Sequence, residues 1–188
     1  METPILRPAI FLDRDGVLNH QVIRNGVPVS PRGPGDFRLI ETALSAVRKL
    51  SKAGYLCIVL TNQPDLGRGL LSWADLQVMH EQIKSSAPID AFYVCGHIGE
   101  QACECRKPKP GMILNAQVEH GVDLARSWLV GDRWVDIAAA NAVGVKAVLV
   151  EHQHSLNSTS SDDPPDRLDI EAKVRDLATA VKVILQLR

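Results

Sequence analysis

The chain has 188 residues, 45% of them hydrophobic and 23% charged, with a formal net charge of −1 at pH 7. That length supports one domain with a proper core, the composition is that of a soluble globular protein, and near-neutrality excludes a general pull toward nucleic acid or an anionic membrane surface. The opening METPILRPAI lacks the basic and long apolar regions of a signal peptide and no apolar run approaches a membrane span, so the expected address is the cytoplasm.

Short apolar runs alternate with helix-period segments along the chain. PAIFLD (8–13) reads as the first strand, followed by a glycine- and proline-rich excursion over 19–36. A helix is expected over ETALSAVRKLSKAG (41–54), closed by Gly54, then a strand at YLCIVLT (55–61). Ser72 opens SWADLQVMHEQIKSS (72–86), and IDAFYVC (89–95) is the third strand. Pro110 opens and Gly121 closes PGMILNAQVEHG, and SWLVGD (127–132) is the fourth strand. DIAAANAVG ends at Gly144 before VKAVLV (145–150). The polar stretch 151–167 reads as a mobile surface loop, DIEAKV as a short edge strand and RDLATAVKVILQL as a closing amphipathic helix. Strands apolar throughout suit a parallel sheet covered on both faces. The expected fold is therefore α/β, a doubly wound, mostly parallel sheet in one domain (1–188) without a cap domain.

Four strand ends carry polar groups. IFLDRDGVLNH places Asp13 and Asp15 after the first strand, and the second ends in Thr61 and Asn62. Lys107, in CRKPKPG, follows the third strand, and GDRWVD puts Asp132 and Asp136 after the fourth. In this architecture strand ends converge on one ligand crevice, so these residues can share a pocket. One carboxylate can act as nucleophile while a second moves protons, and clustered carboxylates call for a hard cation such as Mg²⁺. Hydroxyl, amide and ammonium groups would stabilise a transferring phosphoryl group.

Of the four cysteines, Cys57 lies in an apolar run and reads as core, whereas Cys95, Cys103 and Cys105 cluster with His97. Such a cluster in a cytoplasmic chain points to a metal rather than to disulfides. Three thiolates and an imidazole make a closed tetrahedral set, typical of structural zinc.

DRDG, TNQ, the lysine of CRKP and GDRWVD resemble, in order, the four signature motifs of the haloacid dehalogenase superfamily of phosphohydrolases. The resemblance spans residues 9–150. It implies Asp13 as the nucleophile, Asp15 as general acid/base, Thr61 as a phosphoryl ligand and Lys107 as the group steadying both. It also implies Mg²⁺ held by Asp13, Asp132 and the backbone carbonyl of Asp15. CGHIGEQACECRKPKPG is similar to the zinc loop of the branch that contains heptose-bisphosphate and histidinol phosphatases, with Cys95, His97, Cys103 and Cys105 as ligands. The implied substrate is a small phosphorylated sugar, D-glycero-D-manno-heptose 1,7-bisphosphate losing its 7-phosphate, ahead of histidinol phosphate. A nucleic-acid end-processing phosphatase is the rival of another class, disfavoured by the absence of a basic stripe. A monomer is expected.

Within that frame Asn19, Asn62, Arg106 and Arg133 are the candidate substrate contacts. Asp136, one turn after Asp132, reads equally as a partner of the metal ligands or as a helix-start charge. His20 is expected to be exposed, the three tryptophans to be structural, and His152 and His154 to be weak metal candidates. Gly96, Pro64 and Asp65 depart from the branch's usual residues and put the identity of the substrate, not the chemistry, in question.

Overall fold

A computed structural model describes residues 6–99, 101–152, 155 and 164–187. Six parallel strands form the central sheet: β1 (Ala9–Leu12), β4 (Leu56–Asn62), β5 (Ala91–Cys95), β6 (Trp128–Gly131), β7 (Lys146–Val150) and β8 (Ala172–Val174), in the order β5-β4-β1-β6-β7-β8. Between β1 and β4 the chain adds a small antiparallel hairpin, β2 (Val22–Arg24) with β3 (Val27–Val29). The helices are α1 (Glu41–Lys52), α2 (Pro64–Gly67), α3 (Trp73–Ser86), α4 (Gly111–His120), α5 (Trp134–Asn141) and α6 (Leu177–Gln186).

Strand alternation divides the core into two layers. Ile10, Leu12, Cys57 and Val59 face α1, α3 and α6 through Leu44, Val47, Met79, Ile83 and Val181. Ala9, Phe11, Ile58 and Leu60 face α4 and α5 through Met112, Ile113, Ala116 and Ile137. β1 lies in the middle with every residue buried, which is why its sequence is apolar without alternation. Truncating a wholly buried side chain such as Leu50 to alanine would cost about 2–5 kcal/mol. From β1 the chain builds one half of the sheet through β4 and β5, then crosses to the other side through β6. The switch point therefore lies at the carboxyl end of β1, where ligands bind in sheets of this kind.

The helix limits follow local chemistry. The Ser72 side chain accepts the Asp75 N–H at the start of α3, and Asp176 accepts that of Thr179 at the start of α6. Gly54, Gly121 and Gly144 adopt positive φ as the helices before them end. The expected edge strand and closing helix are β8 and α6.

Several expectations need correction. The glycine- and proline-rich excursion over 19–36 contains the β2–β3 hairpin, which the sequence reading did not mark. Its turn is Asn25-Gly26, with φ of 53° and 74°, the pairing that favours a two-residue hairpin loop. α5 begins at Trp134 rather than at Asp136, because Asp136 caps it from within its first turn. Trp128 and Trp134 are buried, but Trp73 is 60% exposed and is not a core residue. Of the expected 151–167 loop, residues 153–154 and 156–163, including His154, lie outside the described residues. Among the described residues, no helix is long and apolar enough to cross a membrane.

His80 on α3 is buried and stacks on Phe92 with ring centroids 4.4 Å apart. Burial, helped by the Arg14 charge and opposed by Asp15, lowers its pKa to about 4. The unfolded chain takes up this proton near pH 6.5 and the folded one only near 4, so the contribution to stability is lost as pH falls through that window. Relative to His80→Leu, the wild type should lose on the order of 2 kcal/mol between pH 7 and 5, read from urea unfolding at each pH. A difference between the two proteins that does not change with pH would contradict this.

Candidate active site

The site is built around one ammonium group. Lys107 is 4% exposed, and its Nζ donates to Asp13 Oδ1 at 2.5 Å and to the Leu60 carbonyl at 2.8 Å. It also forms an ion pair with Asp136 Oδ1 at 2.5 Å, a contact by proximity of charge rather than an aligned hydrogen bond. The backbone of Lys107 is fixed by Asn62, whose Nδ2 donates to the Lys107 carbonyl at 3.0 Å and whose Oδ1 accepts the Lys107 N–H at 3.1 Å. The end of β4 thereby sets the position of a lysine 45 residues away. Asp136 Oδ2 accepts the Arg133 N–H at 3.0 Å, so this carboxylate caps α5 and neutralises Lys107 at once. Both roles expected of Asp136 are therefore compatible.

Asp13 follows β1 directly, and its N–H donates to the Val130 carbonyl at 2.9 Å. Burial raises its pKa, Lys107 opposes that, and Asp136 and Asp15 add to the rise, leaving it at about 7. Asp132 follows β6 and is 1% exposed. Burial, with Asp13 and Asp136 nearby, pushes its pKa well above the usual carboxylate range. Its Oδ2 accepts from Gln21 Nε2, whereas Oδ1 is buried without a hydrogen-bond partner. Carboxylate oxygens of Asp13, Asp132 and Asp136 lie within 4.8 Å of one another. Hard oxygen donors, with Asp132 Oδ1 and Asp136 Oδ1 both buried without a hydrogen-bond partner, suit a small divalent cation such as Mg²⁺.

Asp15 is turned away from that cluster. Arg14, wholly buried with its guanidinium 5.6 Å above the Phe37 ring centroid, donates to Asp15 Oδ1 at 3.1 and 3.0 Å and to Oδ2 at 3.0 Å. Asn19 Nδ2 donates to Oδ1 at 2.9 Å, and Ser30 Oγ and Gln63 Nε2 each donate to Oδ2 at 2.8 Å. Burial alone would raise the pKa of Asp15, but Arg14 and these three hydrogen bonds outweigh it and hold the carboxyl below its usual range. Gln63 Nε2 also donates to Thr61 Oγ1 at 2.8 Å, which leaves the threonine proton free to donate elsewhere.

Asp13, Asp15, Thr61, Lys107, Asp132 and Arg133 line an inner pocket of about 80 Å³. It opens past Pro28, Val29, Ser30 and Asn62 into an outer cleft of about 270 Å³ that Arg106 and Arg133 also line. Asn62, Arg106 and Arg133 are thus where the sequence suggested. Asn19 is not: it is fully buried, and its amide is committed to Asp15 and to the His20 carbonyl. Within the tight turn after β1, Gly16 N–H bonds to the Asn19 carbonyl and turns this residue inward. His152 is not set up as a metal ligand either, because its Nε2 lies 3.0 Å from the Gly16 carbonyl.

Sequence reasoning passed over Gln21, Ser30 and Gln63. The first two reach the site on the hairpin excursion, which the Asn25-Gly26 turn could have revealed. Gln63 is the last residue of the TNQ motif, but no role was assigned to it there.

Beyond β5, Cys95 Sγ lies 3.8 Å from Cys103 Sγ and 3.5 Å from His97 Nδ1, and Cys105 Sγ lies 3.3 Å from the same nitrogen. All four ligand atoms fall within 4.8 Å of one another. Thiolates about 2.3 Å from a tetrahedral zinc would sit roughly 3.8 Å apart, so the cluster fits that ion. A disulfide needs about 2.05 Å, and all four cysteines are free. The loop returns through Arg106, whose Nη1 donates to the His97 carbonyl at 3.2 Å, and delivers Lys107 to the pocket.

Gly16 has φ of 89°, and a Cβ there would lie 2.4 Å from Asp132 Oδ2. Gly26 also has positive φ, 74°, but open space around it. Gly26→Ala should therefore cost only the backbone term, about 1–2 kcal/mol, and Gly16→Ala clearly more, because Asp132 has to move. Urea midpoints check this, and equal losses would contradict the contact.

A family model described as HAD-hydrolase-like matches residues 104–173. The D-glycero-β-D-manno-heptose-1,7-bisphosphate 7-phosphatase of Pseudomonas aeruginosa is 31% identical, over 96% of this chain and 99% of its own. The enzyme of that name from Salmonella typhi is 34% identical, over 93% and 95%. Among solved structures, the D,D-heptose 1,7-bisphosphate phosphatase of B. bronchiseptica, complexed with magnesium and phosphate, superposes with a TM-score of 0.79 at 29% identity, covering 96% of this chain and 99% of that one. Its counterpart from Burkholderia thailandensis gives 0.64 at 27%, covering 95% and 99%. With a buried lysine–carboxylate cluster at the switch point of a parallel sheet and relatives that match it end to end, the chain belongs to the heptose-1,7-bisphosphate 7-phosphatase family of HAD-like phosphoric monoester hydrolases.

Proposed function

We propose that this chain is a single-domain phosphatase that removes the 7-phosphate of D-glycero-D-manno-heptose 1,7-bisphosphate. The observation that carries the reading is the convergence of Asp13, Lys107, Asp132 and Asp136 in one buried cluster, in a chain aligned over almost its whole length with enzymes of that name. Asp13, Asp132 and the backbone carbonyl of Asp15 would hold Mg²⁺, which supplies Lewis-acid neutralisation of phosphoryl charge when bound.

Asp13 attacks phosphorus, the bond to the sugar oxygen breaks, and an aspartyl-phosphate forms on Asp13. Lys107 favours the ionised carboxylate and aims it, and faces the charge that develops on the phosphoryl oxygens. Thr61 donates its free proton to one of those oxygens. Asp15 gives a proton to the departing sugar oxygen and then takes one from the water that attacks the phosphoryl group. The resting network around Asp15 suits its role as base. To serve as acid it has to acquire a proton; on Oδ2 the Ser30 hydroxyl can turn to accept it, while the Gln63 amide N–H can only donate and has to give way. The Cys95–His97–Cys103–Cys105 cluster would bind zinc structurally, since four protein ligands leave no open position, and would hold Arg106 and Lys107 at the pocket.

Phosphate release with Mg²⁺ from heptose 1,7-bisphosphate, histidinol phosphate and hexose phosphates tests the substrate. A preference for the heptose of at least about a hundredfold in kcat/KM, roughly 2.7 kcal/mol, is expected, and a flat profile would refute the assignment. Asp13→Asn should abolish turnover and retain about one zinc per chain by metal analysis, whereas Cys103→Ser should lose zinc and several degrees of Tm. Near-wild-type turnover in Asp13→Asn would remove the nucleophile assignment, and full zinc content in Cys103→Ser would remove the zinc assignment.

A further inference from the structure

Gln63 is fully buried between two strand ends. It follows β4 directly and precedes α2, and its backbone is held on both sides. Its N–H donates to the Cys95 carbonyl at 2.7 Å, and its own carbonyl accepts the Leu66 N–H at 3.1 Å. The side chain is thereby rooted between the strand that carries Thr61 and the strand that opens the cysteine-bearing loop.

The side-chain amide is used asymmetrically. Nε2 donates to Asp15 Oδ2 and to Thr61 Oγ1, both at 2.8 Å, so each of its hydrogens has an acceptor. Oε1, by contrast, is buried without a hydrogen-bond partner. An unmade hydrogen bond inside a protein is costly, and a methionine would fill the same space without leaving one. The orphaned acceptor is therefore tolerated for the sake of the two oxygens that the donors reach. Asp15 already accepts from Arg14, Asn19 and Ser30, so for that carboxylate Gln63 is one donor of several. The Thr61 hydroxyl, in contrast, takes its direction from Gln63. With a lone pair engaged by the amide, its single proton points away from Gln63, into the inner pocket that Thr61 lines. Without that donor the hydroxyl is free to turn its proton toward the carboxylates that line the same pocket.

We propose that Gln63 is a positioning residue for phosphoryl transfer: it holds the Thr61 hydroxyl as an acceptor, so that Thr61 is aimed beforehand as a donor to the phosphoryl oxygen on which charge grows. Each amide hydrogen serves its own acceptor, so the bond to Thr61 survives the step in which Asp15 carries a proton and the Gln63–Asp15 bond gives way. The inference rests on the phosphatase reading of the inner pocket and gives this residue a share in stabilising the transition state there.

The test uses p-nitrophenyl phosphate and orthovanadate, so it does not depend on the sugar. Gln63→Met, close in volume, should lower kcat for p-nitrophenyl phosphate with Mg²⁺ by at least about tenfold and change KM by less than about threefold. In a Thr61→Val background, where no hydroxyl is left to aim, the same change should cost less than about threefold, a non-additivity that a merely structural role would not produce. Orthovanadate, whose five-coordinate adduct resembles the transition state, should bind Gln63→Met at least about tenfold more weakly than the wild type, and inorganic phosphate less than about threefold more weakly. If Gln63→Met does not fold, the wild type decides by NMR: both Gln63 side-chain amide protons should exchange slowly and shift when Mg²⁺ and vanadate are added. A kcat in Gln63→Met within about twofold of the wild type, additive losses in the double variant, or amide protons that exchange as freely as those of free glutamine would overturn the inference and leave the phosphatase reading intact. A wild type that hydrolyses no phosphate ester and binds no vanadate overturns that reading, and the inference with it.

Discussion

The charge balance at the switch point governs this molecule. Asp13, Asp15, Asp132 and Asp136 converge within a few residues of the strand ends, and the buried cations facing them are Arg14 and Lys107. Four carboxylates against two cations leave two negative charges in a region where isolated charge is expensive. Lys107 answers Asp13 and Asp136, Arg14 answers Asp15, and Asp132 keeps one oxygen without a partner. A divalent cation, as proposed for this site, would complete the sum. Burial is the larger cause of the raised pKa values of Asp13 and Asp132, and the neighbouring carboxylates add to it.

The rest of the fold can be understood as the means of holding those groups still. The parallel sheet sets Asp13 and Asp132 on adjacent strands, since β1 pairs directly with β6. The loop beyond β5 carries Lys107 in, drawn together at the cluster of Cys95, His97, Cys103 and Cys105 and locked by Asn62. Close backbone approaches keep the parts together. A Cβ on Gly67 would lie 2.7 Å from the Gly96 carbonyl, so α2 rests against the cysteine-bearing loop. The hairpin roofs the pocket with Pro28, Val29 and Ser30. Asp65, a departure from the branch's usual small residues, ties that roof to α2 through Arg32.

How much of this was legible depended on distance along the chain. β1 and β4 announced themselves as unbroken apolar runs because both faces of each are buried, and Asp13, Thr61 and Asp132 could be placed because strand ends converge in such sheets. The cysteine pairs were legible because their spacing is local. Contacts made across folded distance were not: Ser30 meets Asp15 from 15 residues away, Gln63 from 48, and Gln21 meets Asp132 from 111. Nothing in the polarity of these residues distinguishes them from surface side chains until the hairpin folds over the strand ends. Asn19 shows the opposite error. Nearness to Asp13 in sequence suggested a place in the pocket, but the turn at Gly16 sends it to the far side of Asp15.

The most direct test needs no substrate. Mg²⁺ at about a hundredfold over its Kd should raise the wild-type Tm by roughly 5–10 °C, and Asp132→Asn, which removes one of the two unmatched charges, should lose most of that shift. A wild-type Tm indifferent to Mg²⁺, or an equal rise in Asp132→Asn, would contradict the charge balance from which the site, its metal and its chemistry have been derived.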